Sequence, residues 1–94
     1  MALQFEWDPR KATANIAKHG VSFEEAATVF GDPLGRFMAD PRHSSAEERF
    51  VLLGSSRNER LLAVMFADRG ETIRIISARR ATGPERREYE KDAE

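Results

Sequence analysis

Apolar and polar residues alternate at the start of the chain, from Leu3 to Trp7. This alternation is typical of a half-buried β-strand. In the second half of the chain, three longer aliphatic segments follow one another across short polar turns, which predicts a meander of antiparallel hairpins. The middle segment is apolar on both faces, as expected of a central strand that is covered on both sides or faces a partner. The three segments are Arg49 to Ser55, Arg60 to Ala67 and Thr72 to Arg79, and a shorter strand is expected from Gly35 to Asp40.

Capping residues predict a helix directly after the first strand. Asp8-Pro9 supplies an N-cap and a first helical residue, and the helix is expected to end at His19, because Gly20 readily adopts the left-handed conformation that terminates helices. Ala12, Ile16 and His19 fall on one stripe of this helix, and polar residues form the neighbouring stripe.

Two more helices are predicted by capping boxes. Ser22 with Glu25 opens the second helix, which ends before Gly31-Asp32-Pro33, and Thr82 with Glu85 opens the third near the C-terminus. Between the second helix and the meander, Pro41 to Ala46 is expected to be a loop. The prediction is an α+β fold, with two helices before an antiparallel sheet of about four to five strands and one helix after it.

Composition is consistent with this fold and indicates the number of domains and the cellular compartment. Ninety-four residues suffice for one small core, so residues 1–94 are expected to form a single domain. Cysteine is absent, and the sequence has neither a secretory signal pattern nor an apolar stretch of membrane-spanning length. We expect a cytoplasmic protein without disulfides.

The near-neutral net charge of −1 hides a local excess of arginine. Between Arg69 and Arg87 there are six arginines and only two glutamates, which gives a local balance of +4. Because guanidinium groups bind phosphate in a bidentate manner, this segment is a candidate site for a polyanion.

Arg79 lies at the centre of this candidate site. If the last strand alternates regularly, Ile73, Ile75, Ser77 and Arg79 share its core-facing side, so that Arg79 emerges beside the start of the third helix, whose free N–H groups also attract anions. The alternative is that each arginine pairs with a nearby glutamate on the surface.

The two histidines differ in context. His19 ends the first helix and is either a cap residue or a general acid or base, since histidine titrates near neutral pH. His43 lies in a polar segment and is expected to be a solvated loop residue. Neither belongs to a set with metal-ligand spacing, and we therefore expect no metal and no other cofactor.

Three blocks of the sequence together resemble the BrnT toxin family. They are "FEWDPRKATANIAKHGVSFEEAATVFGDP" (Phe5 to Pro33), "HSSAEERFVLLGSS" (His43 to Ser56) and "IRIISARRATGPERREYE" (Ile73 to Glu90). The resemblance implies a RelE-like fold and a ribonuclease toxin of a type II toxin–antitoxin pair. It also implies cleavage of messenger RNA without a metal, and neutralisation by a BrnA-like ribbon-helix-helix antitoxin, through which alone the toxin would reach operator DNA.

The resemblance also directs attention to particular residues. Attack of a ribose 2′-OH on the adjacent phosphate needs an acid, a base and cations that stabilise the charged phosphorane. The expected catalytic residues are His19, Arg79, Arg74 and Tyr89, and the expected RNA-binding residues are Lys11, Lys18, Arg80, Arg86 and Trp7. For Trp7 and Tyr89, packing in the core is the alternative to stacking on bases. A non-catalytic RNA-binding protein and a protein that only binds an antitoxin remain alternatives for the whole chain.

Overall fold

The aliphatic segments of the second half of the chain form the centre of a five-stranded sheet. The structure is a computed structural model that describes residues 3–39 and 48–92. The predicted loop Pro41 to Ala46 and His43 lie outside the described residues. In chain order the elements are β1 (Gln4–Glu6), α1 (Pro9–His19), α2 (Phe23–Thr28), a 3₁₀ turn (Val29–Gly31), β2 (Arg36–Ala39), β3 (Arg49–Ser55), β4 (Leu61–Arg69), β5 (Thr72–Arg80) and α3 (Gly83–Asp92).

The strands are arranged in the order β1-β5-β4-β3-β2. The pairs β2–β3, β3–β4 and β4–β5 are antiparallel, which confirms the predicted meander. β1 departs from the prediction, because it pairs with β5 in parallel and makes the sheet mixed. No hairpin joins these two strands, so the direction of β1 is not constrained by a short turn. The α+β fold class is confirmed.

The three helices begin as their capping residues predict. The Asp8 side chain accepts a hydrogen bond from the backbone N–H of Arg10 at 2.8 Å, and Gly20 ends α1 with a φ of 70°. Ser22 Oγ accepts from the Glu25 N–H at 3.0 Å and starts α2. At α3 the capping box is complete and is formed by Thr82 and Glu85.

The sheet has two buried faces. We call the face that packs against α1 and α2 the front face, and the face that packs against α3 the back face. Large side chains that are fully buried on the front face include Phe23, Leu62 and Ile75, whereas Leu53 and Ala63 are buried on the back face. β4 is buried on both faces from Leu61 to Ala67, as its doubly apolar sequence predicted.

β5 contains a β-bulge that the sequence pattern did not reveal. Met65 pairs with Ser77, but the next residue of β4, Phe66, pairs with Ile75, so Ile76 is an extra residue in β5. A bulge of this kind interrupts the alternation of side chains along the strand.

The bulge overturns the predicted faces of β5. Ala78 joins Ile73 and Ile75 in the front-face core, although regular alternation would place it on the opposite side. Ser77 pairs with Met65, and Arg79 pairs with Ala63, both of which are buried on the back face. The prediction that Ser77 and Arg79 continue the row of Ile73 and Ile75 is therefore wrong.

Within the described residues, no helix combines the length and the apolar composition that crossing a membrane requires.

Candidate functional site

A cleft of about 390 Å³ lies at the edge of β5, where α1 extends past the front face and meets back-facing residues of β4 and β5. The structure brings four of the residues expected at the site to this cleft, namely Lys11, Lys18, His19 and Arg79. One wall is formed by α1, which contributes Lys11, Ala14, Asn15, Lys18 and His19, and the sheet contributes Met65, Ile76, Ser77 and Arg79.

The position of α1 depends on a buried amide. β1 pairs with β5 only as far as Arg74, which leaves the rest of the β5 edge without a neighbouring strand. Asn15 fills part of this gap: its Nδ2 donates to the carbonyl of Ala78 at 2.8 Å and its Oδ1 accepts from the N–H of Ala78 at 3.1 Å. The same Nδ2 donates to the carbonyl of Val21 at 2.8 Å. Asn15 therefore pairs with β5 as an adjacent strand would.

This contact corrects the predicted face of α1. Asn15 is only 6% exposed, whereas Ile16, which was placed on the apolar stripe, is 52% exposed. Because a free strand edge offers a donor and an acceptor, an amide on the helix satisfies it better than an aliphatic side chain does. Ala12 still packs against the front-face core, so the buried face of α1 is shifted towards Asn15 and away from Ile16.

The α1 wall of the cleft carries positive charge. Lys11 and Lys18 are exposed, and in the part of the chain that the structure describes neither is paired with a carboxylate. His19, at the last helical position, is half-buried between them and the sheet.

The C-terminal end of α1 is held by a buried ion pair. The Arg60 guanidinium donates to the carbonyl of Gly20 at 3.1 Å and also to both carboxylate oxygens of Glu25. Ser56 Oγ donates to the same carboxylate at 2.7 Å. The hydrogen bonds from Arg60, partly opposed by burial, lower the pKa of Glu25 to about 2. This network fixes the residue that follows His19.

On the opposite wall, Arg79 is paired with Glu85. Its two terminal nitrogens lie 2.8 and 3.0 Å from the two carboxylate oxygens. Hydrogen bonds from Arg79, again opposed by burial, lower the pKa of Glu85 to about 2. Glu85 also accepts from the N–H of Thr82, so the anion at the start of α3 is this carboxylate. The predicted alternative, a pair between Arg79 and Glu85, is what the structure contains.

Three other arginines expected at the site do not line the cleft. Arg74 donates to Glu6 at 2.8 Å, and Arg86 lies 4.0 Å from Glu90 on the surface of α3. Arg80 is exposed at the end of β5.

The two aromatic residues expected at the site are packed elsewhere. Trp7 makes an edge-to-face contact with Phe23, with ring centroids 5.8 Å apart. The Tyr89 hydroxyl donates to Asp32 at 2.6 Å, and burial together with Asp32 raises the pKa of Tyr89 to about 12. A hydroxyl with this pKa is poorly suited to proton transfer near neutral pH.

Five residues of the cleft were not predicted at the site: Ala14, Asn15, Met65, Ile76 and Ser77. Met65 was expected in a central strand that is apolar on both faces, and Ile76 was expected on the side of β5 away from Ile75. The bulge in β5 leaves no local sequence signal. Among the residues described, no three His, Asp or Glu side chains are grouped so that they could hold a metal ion.

The sequence and fold can be compared with those of known proteins. A family model described as "Ribonuclease toxin, BrnT, of type II toxin-antitoxin system" matches residues 7–85. The fold is similar to the crystal structure of the Brucella abortus ribonuclease toxin BrnT, with a TM-score of 0.62 and 26% sequence identity over 86% of this chain and 99% of the other. A search of curated proteins finds no match. Since the family model spans most of the sequence, the chain belongs to the BrnT family of type II ribonuclease toxins.

Proposed function

We propose that the chain is a metal-independent endoribonuclease that cleaves messenger RNA in the bacterial cytoplasm and so inhibits translation. The observation that carries this proposal is the cleft, which brings His19, two exposed lysines and Arg79 around one concave surface. The ribonuclease family to which the chain belongs supports the same reaction class.

The charge distribution of the cleft favours a nucleic acid. Lys11 and Lys18 lie on the same exposed side of α1, where they are suited to contact successive phosphates of an extended strand. The opposite wall supplies Arg79, whose planar group suits the equatorial oxygens of a phosphorane. For a phosphate to bind there, it displaces at least one oxygen of Glu85, and Glu85 thus holds the arginine in place until RNA arrives.

The proposed reaction is an attack by the ribose 2′-oxygen on the adjacent phosphorus. A base removes the 2′-OH proton, the bond to the 5′-oxygen breaks, and an acid gives that oxygen a proton. The products are a 2′,3′-cyclic phosphate, or the 3′-phosphate after hydrolysis, and a 5′-OH end. His19 takes one of the two proton transfers and Arg79 stabilises the phosphorane.

Five further residues remain proposed RNA contacts with weaker support, because they lie outside the cleft. They are Arg74, Arg80, Arg86, Trp7 and Tyr89. Arg80, at the end of β5, is the best placed of them to hold a flanking phosphate. Tyr89 would first have to leave Asp32 before it could orient a nucleotide.

Membership of a type II toxin family implies an antitoxin partner. We propose that this partner is a BrnA-like ribbon-helix-helix protein that covers the cleft and carries the complex to operator DNA. Co-purification of the two proteins, and loss of growth arrest on co-expression, would support this pairing.

The test of the enzymatic proposal is induced expression of the chain alone in a bacterial host. Growth is followed while RNA ends that carry a 5′-OH are mapped. We expect growth arrest and new ends for the wild type, and a loss of about a hundredfold or more in cleavage for Arg79→Ala and for His19→Ala. Lys11→Ala and Lys18→Ala test the proposed phosphate contacts of α1. Lys91→Ala is their control, since Lys91 lies on α3 and not in the cleft.

Two results would overturn the proposal. If the folded wild type produced no new RNA ends, the chain would be a binding protein without catalytic activity. If purified protein lost its cleavage activity in EDTA, metal independence would be wrong.

A further inference from the structure

The geometry points to a nucleobase subsite on the floor of the cleft, formed by Met65, Ile76 and Ser77, and we propose that Ser77 selects the base next to the cleaved phosphate. This inference rests on the proposed function and adds the recognition of one unpaired base of single-stranded RNA.

The floor is apolar, although the walls are charged. Met65 and Ile76 both line the cleft and both belong to the back-face core. Ile76 is the extra residue of the bulge, so that it accompanies Ser77 opposite a single residue of β4. Bulges frequently redirect side chains next to active sites. A flat, weakly polar ring fits such a floor, whereas a phosphate does not.

Ser77 provides one polar group on this floor. It pairs with Met65 across the strands and is half-buried in the cleft lining. In the described part of the chain its hydroxyl has no hydrogen-bond partner, in contrast to Ser22 and Ser56, whose hydroxyls are engaged in caps and networks. A lone hydroxyl over an apolar floor can donate to or accept from one edge of a base.

The charged residues around the floor position the base relative to the phosphates of the RNA backbone. Lys18 and His19 stand on one side of the floor and Arg79 on the other. With phosphates at these walls, the base between them turns inward onto Met65 and Ile76. A base reaches this position only when it is unpaired and unstacked, which selects single strands over duplex RNA.

The first experiment maps RNA ends after induction of the wild type, Ser77→Ala and Thr13→Ala. Thr13 is an exposed hydroxyl on α1 outside the cleft and serves as the matched control. We expect Ser77→Ala to lower cleavage next to the preferred base by about tenfold while cleavage next to other bases changes little, so that the base preference at one position beside the cut is relaxed. Thr13→Ala should reproduce the wild-type preference.

The second experiment measures binding of the purified chain to a short RNA that carries a 2′-deoxy nucleotide at the cut and therefore cannot be cleaved. Replacing the selected base by an abasic residue, or annealing the strand to its complement, should weaken binding about tenfold or more.

The outcomes separate the two proposals. If wild type yields no new RNA ends, the ribonuclease proposal itself fails. If wild type cleaves and Ser77→Ala keeps the same base preference, or if the abasic and intact strands bind equally, the base subsite is wrong while the ribonuclease proposal stands.

Discussion

Two glutamate–arginine pairs are both bidentate and have different surroundings. Glu25 with Arg60 and Glu85 with Arg79 both use two guanidinium nitrogens and two carboxylate oxygens. The pKa of each glutamate is lowered to about 2. However, the Glu25 side chain is only 5% exposed and the Glu85 side chain is 22% exposed, whereas their arginines, Arg60 and Arg79, are similarly exposed at 27% and 30%.

The difference shows that a lowered pKa does not identify a functional site by itself. Arg60 is fully committed to Glu25 and to the carbonyl of Gly20, so it holds α1 in place. Arg79 lines a cleft and is available to an incoming anion that displaces Glu85. We therefore propose that the first pair serves stability and the second serves activity, and variants of these four residues test this proposal.

The largest effect is expected from Arg60→Ala. It leaves Glu25 buried without its cation, which should lower the free energy of unfolding by about 3 kcal/mol. Urea denaturation monitored by circular dichroism measures the loss. Arg57→Ala removes an exposed arginine from the same turn and should change stability by less than about 0.5 kcal/mol. Equal effects of the two variants would contradict the structural role of Arg60.

Arg79→Ala should lower cleavage activity more than stability. We expect cleavage to fall about a hundredfold, while the free energy of unfolding falls by only about 1 kcal/mol, because the pair is partly solvated. The ratio of RNA ends to full-length transcript and the urea midpoint measure the two quantities. A large loss of stability with little loss of cleavage would contradict the proposed role of the Arg79–Glu85 pair in activity.

Acid should weaken both glutamate–arginine pairs over the same pH range. A glutamate whose pKa is about 2 in the folded protein and 4.5 as a model value contributes stability that is present above about pH 4.5 and is lost as the pH falls towards 2. Because solvent screens the more exposed Glu85, we expect Glu25→Gln to flatten the decline of the melting temperature between pH 5 and pH 2.5 more than Glu85→Gln does. If Glu85→Gln flattened it equally, the exposed pair would be as stabilising as the buried one.

A smaller effect than that of Arg60→Ala is expected from Asn15→Ala, which tests the third attachment of α1. Removing the amide leaves the N–H and carbonyl of Ala78 without their partners, at a cost of about 1–2 kcal/mol. Hydrogen exchange of the Ala78 amide should accelerate more than that of Leu62, which lies within β4. An unchanged exchange rate at Ala78 would show that Arg60 alone holds the helix.

Features that depend on neighbouring residues could be predicted from the sequence. The caps at Asp8, Ser22 and Thr82 and the αL residue Gly20 involve partners within four positions, and the structure places all of them as expected. The order and pairing of β3, β4 and β5 also follow from short turns.

Features that depend on residues far apart in the sequence could not be predicted from the sequence. The burial of Asn15 requires knowing that β1 ends early and leaves Ala78 open, 63 positions away along the chain. The link between Glu25 and Arg60 spans 35 positions. The bulge in β5 arises from a mismatch with β4 that neither segment shows alone.

The bulge also determines how the cleft can be gained or lost by insertion and deletion. If the codon for Ile76 is removed, Ser77 still pairs with Met65, Ala78 with Val64 and Arg79 with Ala63, so every other side chain of β5 keeps its face. The fold then survives while the apolar floor of the cleft shrinks. A three-nucleotide change in the gene would thus remove Ile76 from the proposed base subsite and leave the strand pairing of the sheet in place.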